Sequence, residues 1–147
     1  MKPLQAFYEI LAKTNELALA TSVDNVPNVR IVNYCFDEKR PGIIYFASAR
    51  DNNKVGEFAV NNKVAFTTVP TDGASVPHVR SNKTIVQKSE FSIGELSELF
   101  VKAIPGYDET LAAIGDELDV FELHVKKADL IIDYDACECV AFETEQR

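Results

Sequence analysis

Asn28-Val29-Arg30-Ile31-Val32-Asn33-Tyr34-Cys35-Phe36 is a long run rich in β-branched and aromatic residues, the composition of a strand. Pro27 opens it, and the turn pair Asp24-Asn25 stands just before. On the far side of that turn lies Leu17-Ala18-Leu19-Ala20-Thr21-Ser22-Val23, a second apolar run of strand length. Two strands joined so tightly pair antiparallel. Upstream, Leu4, Phe7, Tyr8, Ile10 and Leu11 share one helical face, and Pro3 suits a first turn, so Pro3 to Lys13 reads as a helix. Downstream, Pro41-Gly42 closes a polar loop and Gly42 to Ser48 reads as a third strand.

Beyond that strand, Val55, Phe58 and Ala59 mark a helix from Lys54 to Val60. Asp51 or Asn52 caps it, and Asn61-Asn62 ends it in the left-handed conformation that Asn tolerates. Val64 to Val69 and His78 to Lys88 read as strands, parted by a Gly- and Pro-containing loop. Two helices follow, Ile93 to Ile104 and Asp108 to Leu118, broken by Pro105-Gly106. A last long strand spans Phe121 to Asp133, and the acidic tail from Glu138 to Arg147 is expected to be loose at its end. There is no βαβ alternation. The expected class is mainly β with peripheral helices: a single domain, 1–147, built on a six-stranded antiparallel barrel whose closure removes unpaired edges.

Composition narrows the function. The 147 residues carry a net charge of −8, which disfavours nucleic acid and anionic membrane as partners. No apolar run approaches the roughly 20 residues of a membrane span, and no signal peptide is recognisable, so the cytoplasm is the expected location. Three cysteines without a secretory signal read as reduced thiols. Cys137 and Cys139 share a strand face and read as two small buried residues; their spacing is poor for zinc, and no metal site is expected. In so acidic a chain, clustered cations are informative. Arg30 stands among apolar neighbours, on the same strand face as Val32 and Tyr34 and opposite Ile31 and Asn33. Phe46-Ala47-Ser48-Ala49 leads through Arg50 to Asn53-Lys54 at a helix start, where free N–H groups favour an anion.

The order of these segments resembles the pyridoxamine 5'-phosphate oxidase-like family, the FMN-binding split barrels. The similarity rests on Leu17-Ala18-Leu19-Ala20-Thr21, then Arg30-Ile31-Val32, then Phe46-Ala47-Ser48, then Asn53-Lys54, then Asn61-Asn62-Lys63-Val64. The resemblance implies an FMN site in which Arg30, Ser48 and Lys54 approach the phosphate. Residues Ile31, Val32 and Asn33 would offer their backbone to the flavin edge, with Ala49 and Asn53 beside the phosphate. Asn53 stands where the oxidase often has arginine, a loss of charge that Arg50 could offset. The resemblance also implies a homodimer with flavin at the interface. Tyr34, Phe36, Tyr45, Phe46 and Phe66 supply more ring surface than one barrel is expected to enclose.

The expected function is therefore an FMN-dependent oxidoreductase passing hydride from NADH or NADPH to a small acceptor. The alternatives are a flavin-binding or electron-carrying protein without turnover, and the same barrel holding haem or the deazaflavin F420. The chain lacks the Arg-x-x-His-type ending of the true oxidase, which speaks against pyridoxamine phosphate as substrate. No catalytic side chain is identifiable. His78 is a conceivable acid–base group, but it and His124 read as ordinary strand histidines.

Overall fold

The computed structural model describes residues 2–142. Helix α1 (Pro3–Leu11) carries Pro at its start and buries Ala6, Phe7, Tyr8, Ile10 and Leu11, the face its sequence spacing marks. Strands β1 (Glu16–Val23) and β2 (Val26–Asn33) form a hairpin. Its two-residue turn holds Asp24 at φ 52° and Asn25 at φ 64°, the paired left-handed conformation that matches strand twist. The short β3 (Cys35–Phe36) follows, then β4 (Ile43–Ala49), α2 (Asn53–Val60), β5 (Lys63–Thr68) and β6 (His78–Lys88). Two helices, α3 (Ser97–Ala103) and α4 (Tyr107–Ile114), lead through a 3-10 turn at Gly115–Glu117 into β7 (Leu118–Asp133) and β8 (Ala136–Ala141).

All strands join one sheet in the order β2-β1-β5-β6-β7-β4-β3, with β8 added on β7. The two ends of that order are neighbours in the chain, separated only by Tyr34. One continuous segment therefore leaves the β1 edge, crosses over and joins β4, curling the sheet into a split barrel. Tyr34 marks the crossing: its amide donates to the Asn15 carbonyl at 2.9 Å and its hydroxyl to the Leu11 carbonyl at 2.6 Å. The path holds seven strands rather than the six expected, because Tyr34 interrupts residues 26–36 and divides them into β2 and β3. The added strand, β8, corrects the sequence reading of an acidic tail. Its first part pairs with the far half of β7 because that half extends beyond β4. The loose end expected of the tail, at 143–147, lies outside the described residues.

The core fills the inside of the curl. Leu17, Leu19, Ile44, Val79, Leu123 and Leu130 are fully enclosed. Near the start of β1, α1 lays Phe7 and Leu11 into this core. Near its finish, α2 inserts Phe58 between Phe46 and Phe121, with ring centroids 5.9 and 5.5 Å away. A second cluster lies on the outer face, where α3 covers Cys35, Tyr45 and Val120 with Leu96, Phe100 and Ile104. There, burial pushes the Cys35 thiol up to about 12.

Several expectations need correcting. Tyr34, Tyr45, Phe46 and Phe66 are buried within the single chain, and Phe36 packs partly buried against the core. These rings therefore supply no dimer surface. Cys137 and Cys139 share a strand face, but that face is exposed. Asn61 is extended (φ −145°) rather than left-handed. It ends α2 through its side chain, which donates to the Ser22 carbonyl and accepts from the Lys63 amide. Among the described residues no helix is long and apolar enough to cross a membrane.

Candidate functional site

Arg30 does face inward, as the period of two requires, and sits where α2 closes the barrel beside β1. Its guanidinium donates to Thr21 Oγ1 at 2.9 Å and to the Leu19 carbonyl at 3.3 Å. It also forms an ion pair with Glu57 on α2. Glu57 accepts a further hydrogen bond from the Thr21 hydroxyl at 3.2 Å. Lys54, one helical turn before Glu57, faces the same way. Its ammonium is held below the usual lysine range, first by burial and then by the positive charge of Arg30. The structure thus brings Arg30 and Lys54 into one electrostatic neighbourhood, with Glu57 paired to Arg30. Glu57 is the residue the sequence reading missed. The signal was present, because a position three after Lys54 on a helix shares its face.

The remaining expected residues are spread around this centre. Ser48 lies on the inner face of β4, two residues after Phe46, and is buried; its hydroxyl donates to the Ala49 carbonyl at 3.3 Å. Ala49 ends the strand opposite Leu118. Asn53 is exposed at the first residue of α2. The helix start is less open than expected, since the Asn52 side chain already accepts from the Lys54 amide at 3.0 Å. Arg50 does not join the site. Its guanidinium donates to Asp119 at 3.1 Å and to the Asp116 carbonyl at 2.9 Å, so it cannot replace the charge lost at Asn53.

Residues 31–33 lie on β2, which pairs only with β1. Val32 points into the core while Ile31 and Asn33 face outward. The strand registers place Ile31, Ala18, Thr67, Arg80 and Asp129 in one row across the outer face of five strands. A groove of about 460 Å³ runs over this face, lined by Ala18, Ala20, Val29, Ala65, Thr67 and Arg80 among others. The small side chains make it concave. At its margin, Val29 and Ile31 are 63 and 55 % exposed.

Away from this region a buried polar network joins β7 to β4, to Arg40 just before β4 and to Ser89 just after β6. The Glu122 carboxylate is 3 % exposed. It accepts from Arg40 at 3.0 Å, Ser89 at 2.7 Å and His124 Nε2 at 2.8 Å, and Arg40 also bonds the Tyr45 hydroxyl. Burial alone would raise the Glu122 pKa, but these hydrogen bonds outweigh it and hold the group below the ordinary carboxylate value. His124 is thus tied to a structural carboxylate. His78 lies at the start of β6 with Nδ1 2.5 Å from the Ser75 carbonyl. A carbonyl only accepts, so in the neutral ring Nδ1 carries the proton and Nε2 keeps its lone pair.

Among solved structures, a heme binding protein from Mycobacterium smegmatis is 16 % identical over 96 % of this chain, with a TM-score of 0.71. The chain spans 59 % of that protein's length. A FAD-binding protein from Mesorhizobium loti is 14 % identical, covering 87 % of this chain and 92 % of its own, with a TM-score of 0.63. A protein of the pyridoxinephosphate oxidase family from Clostridium acetobutylicum is 10 % identical, covering 94 and 93 %, with a TM-score of 0.70. At such identities the likeness is one of fold. No protein of curated function matches the sequence. The model of one family, pyridoxamine 5'-phosphate oxidase-like, matches residues 10–137, and the curled sheet closed by the crossing at Tyr34 agrees with it: the chain belongs to the pyridoxamine 5'-phosphate oxidase-like family.

Proposed function

We propose that this protein is a flavin-binding oxidoreductase that takes FMN where β2 meets α2, working as a homodimer. The observation that carries the reading is the convergence of Arg30 and Lys54. Glu57 balances only one of the two positive charges, and a terminal phosphate would balance the other. Lys54 and Arg30 would hold it by charge-assisted hydrogen bonds. The outward backbone of residues 31–33, on a strand paired along one edge only, is free to line a planar ring. Bound flavin would supply the hydride chemistry between a reduced nicotinamide and a small acceptor. The absence of a Gly-rich dinucleotide loop among the sequence motifs favours FMN over FAD. The concave outer face with Val29 and Ile31 at its margin supports a second copy of the chain as its cover.

Titration of the purified protein with FMN, FAD and riboflavin, followed by flavin fluorescence, tests this. FMN should bind tightest; equal affinity for riboflavin and FMN would remove the phosphate from the reading. Mixing the flavin-loaded protein with NADH or NADPH then separates an oxidoreductase, which bleaches rapidly, from a flavin carrier, which does not.

His78 favours a second reading, haem. Its Nε2 lone pair is free while Nδ1 is anchored on a carbonyl, the arrangement of an iron-binding imidazole. Next to it in the chain, Pro77 joins Ile10 and Ile132 in lining a groove of about 370 Å³ that Glu9, Lys13 and Glu138 also border. A Soret band on adding hemin that disappears in His78→Ala would support haem over flavin.

A further inference from the structure

We infer that Glu57 is the specificity-determining residue of the Arg30–Lys54 site: its carboxylate occupies Arg30 in the place of a ligand anion, and an incoming phosphate must displace it. The inference rests on the proposal that Arg30 and Lys54 form an anion-binding pair. Four observations lead to it. Glu57 takes the outer nitrogen of Arg30, Nη2, while Nη1 is committed to Thr21 and the Leu19 carbonyl. The Thr21 hydroxyl holds the same carboxylate oxygen from β1. The Arg30 and Glu57 side chains are each 20 % exposed, so the pair is reachable from solvent. Lys54 lies on the same face of α2, one turn away, and already senses the charge of Arg30.

With Glu57 in place the cluster carries one net positive charge; with Glu57 turned out to solvent it carries two. A phosphate monoester, which is largely a dianion at neutral pH, meets like charge while Glu57 stays. Its binding is therefore coupled to breaking the Arg30–Glu57 pair and freeing the Thr21 hydroxyl. A neutral ligand group needs no such exchange. The consequence is a site that discriminates less between phosphorylated and unphosphorylated forms of one ligand than two free cations would.

Glu57→Gln keeps the shape of the side chain and removes its charge. Affinities of wild type and variant for FMN and riboflavin should be compared by fluorescence quenching. The expected result is FMN affinity raised at least tenfold with riboflavin affinity unchanged. FMN affinity unchanged or lowered in Glu57→Gln overturns the inference and makes Glu57 a residue that positions Arg30. Thr21→Val, which removes one hydrogen bond on the Glu57 carboxylate and one acceptor of Arg30 while leaving both charges in place, provides a second variant and should raise FMN affinity by a smaller factor. Failure of the underlying reading looks different: riboflavin and FMN would then bind equally in every form. If no form binds flavin, melting temperature against inorganic phosphate decides. Stabilisation confined to Glu57→Gln upholds the displaced carboxylate, and no stabilisation in either form overturns it.

Discussion

At the scale of the residue, the proposed ligand contact and the stability of the fold rest on different charged groups. Lys54 is part-buried yet makes no side-chain ion pair among the described residues, so it contributes little to folding. Lys54→Ala should weaken FMN binding about ten- to a hundredfold, the worth of a charge-assisted phosphate contact, while the melting temperature of the apoprotein stays within a degree or two. Parallel flavin titrations and thermal melts check both halves. Glu122 is the reverse case, a carboxylate with three side-chain donors and no opening to a ligand. Glu122→Gln should cost about 1–3 kcal/mol of stability, measurable by denaturant unfolding at neutral pH, because charged hydrogen bonds from Arg40, Ser89 and His124 are weakened together. The sign of its pH dependence follows from its lowered pKa. A carboxylate whose folded pKa lies below the unfolded value of about 4.5 contributes stability above that value and loses it as pH falls through the folded pKa. Wild type should therefore lose its advantage over Glu122→Gln below about pH 4.5, seen as converging melting temperatures.

At the scale of the element, the joint between β4 and β8 is the most constrained. Both pair with the same edge of β7: the Gly42 carbonyl accepts from the Val125 amide at 2.8 Å, and the Phe142 amide donates to the Lys126 carbonyl at 2.8 Å. Gly42 has φ 78°, and a Cβ there would stand 2.8 Å from Phe142 Cγ. Gly42→Ala meets both a left-handed backbone and an aromatic ring, and should destabilise by roughly 2 kcal/mol or more. Chemical denaturation reads the loss. Hydrogen exchange should place the extra opening in β8, whose inner partner at this joint is the displaced ring. The same substitution at Gly56, where nothing lies within 4 Å of an added Cβ and the residue is helical, should be neutral or slightly stabilising.

At the scale of the whole molecule, the outer face of β1, β2, β5 and β6 is the surface on which the proposed homodimer is tested. Its margin is apolar and exposed in an otherwise acidic chain, and its centre is lined by alanines that allow close approach. Ile31→Asp puts a charge at the row's edge without touching the core, because Ile31 faces outward. The expected outcome is a monomer near 16 kDa by light scattering where wild type has twice that mass, with flavin affinity reduced at the same time. A monomeric wild type that keeps its flavin would show the site to be complete in one chain.

The sequence alone determined most strand positions, though not β8 or the break at Tyr34, together with the hairpin turn at Asp24-Asn25, the inward direction of Arg30 and the family, because these depend on local periodicity and on short motifs. Arg30 and Lys54 were legible as cations in an acidic chain, each near a strand or helix whose start could be read. Three features were decided only in the tertiary structure. Glu57 meets Arg30 because α2 folds over the end of β1, which brings together residues 27 positions apart. Arg50 is drawn away to Asp119 by the pairing of β4 with β7. The five aromatic rings pack inside one chain because α1, α2 and α3 cover them, and a count of rings carries no information about which helix covers which face. Period and composition fix the direction of a side chain relative to its own strand; what it meets there depends on long-range strand order, which no local pattern encodes.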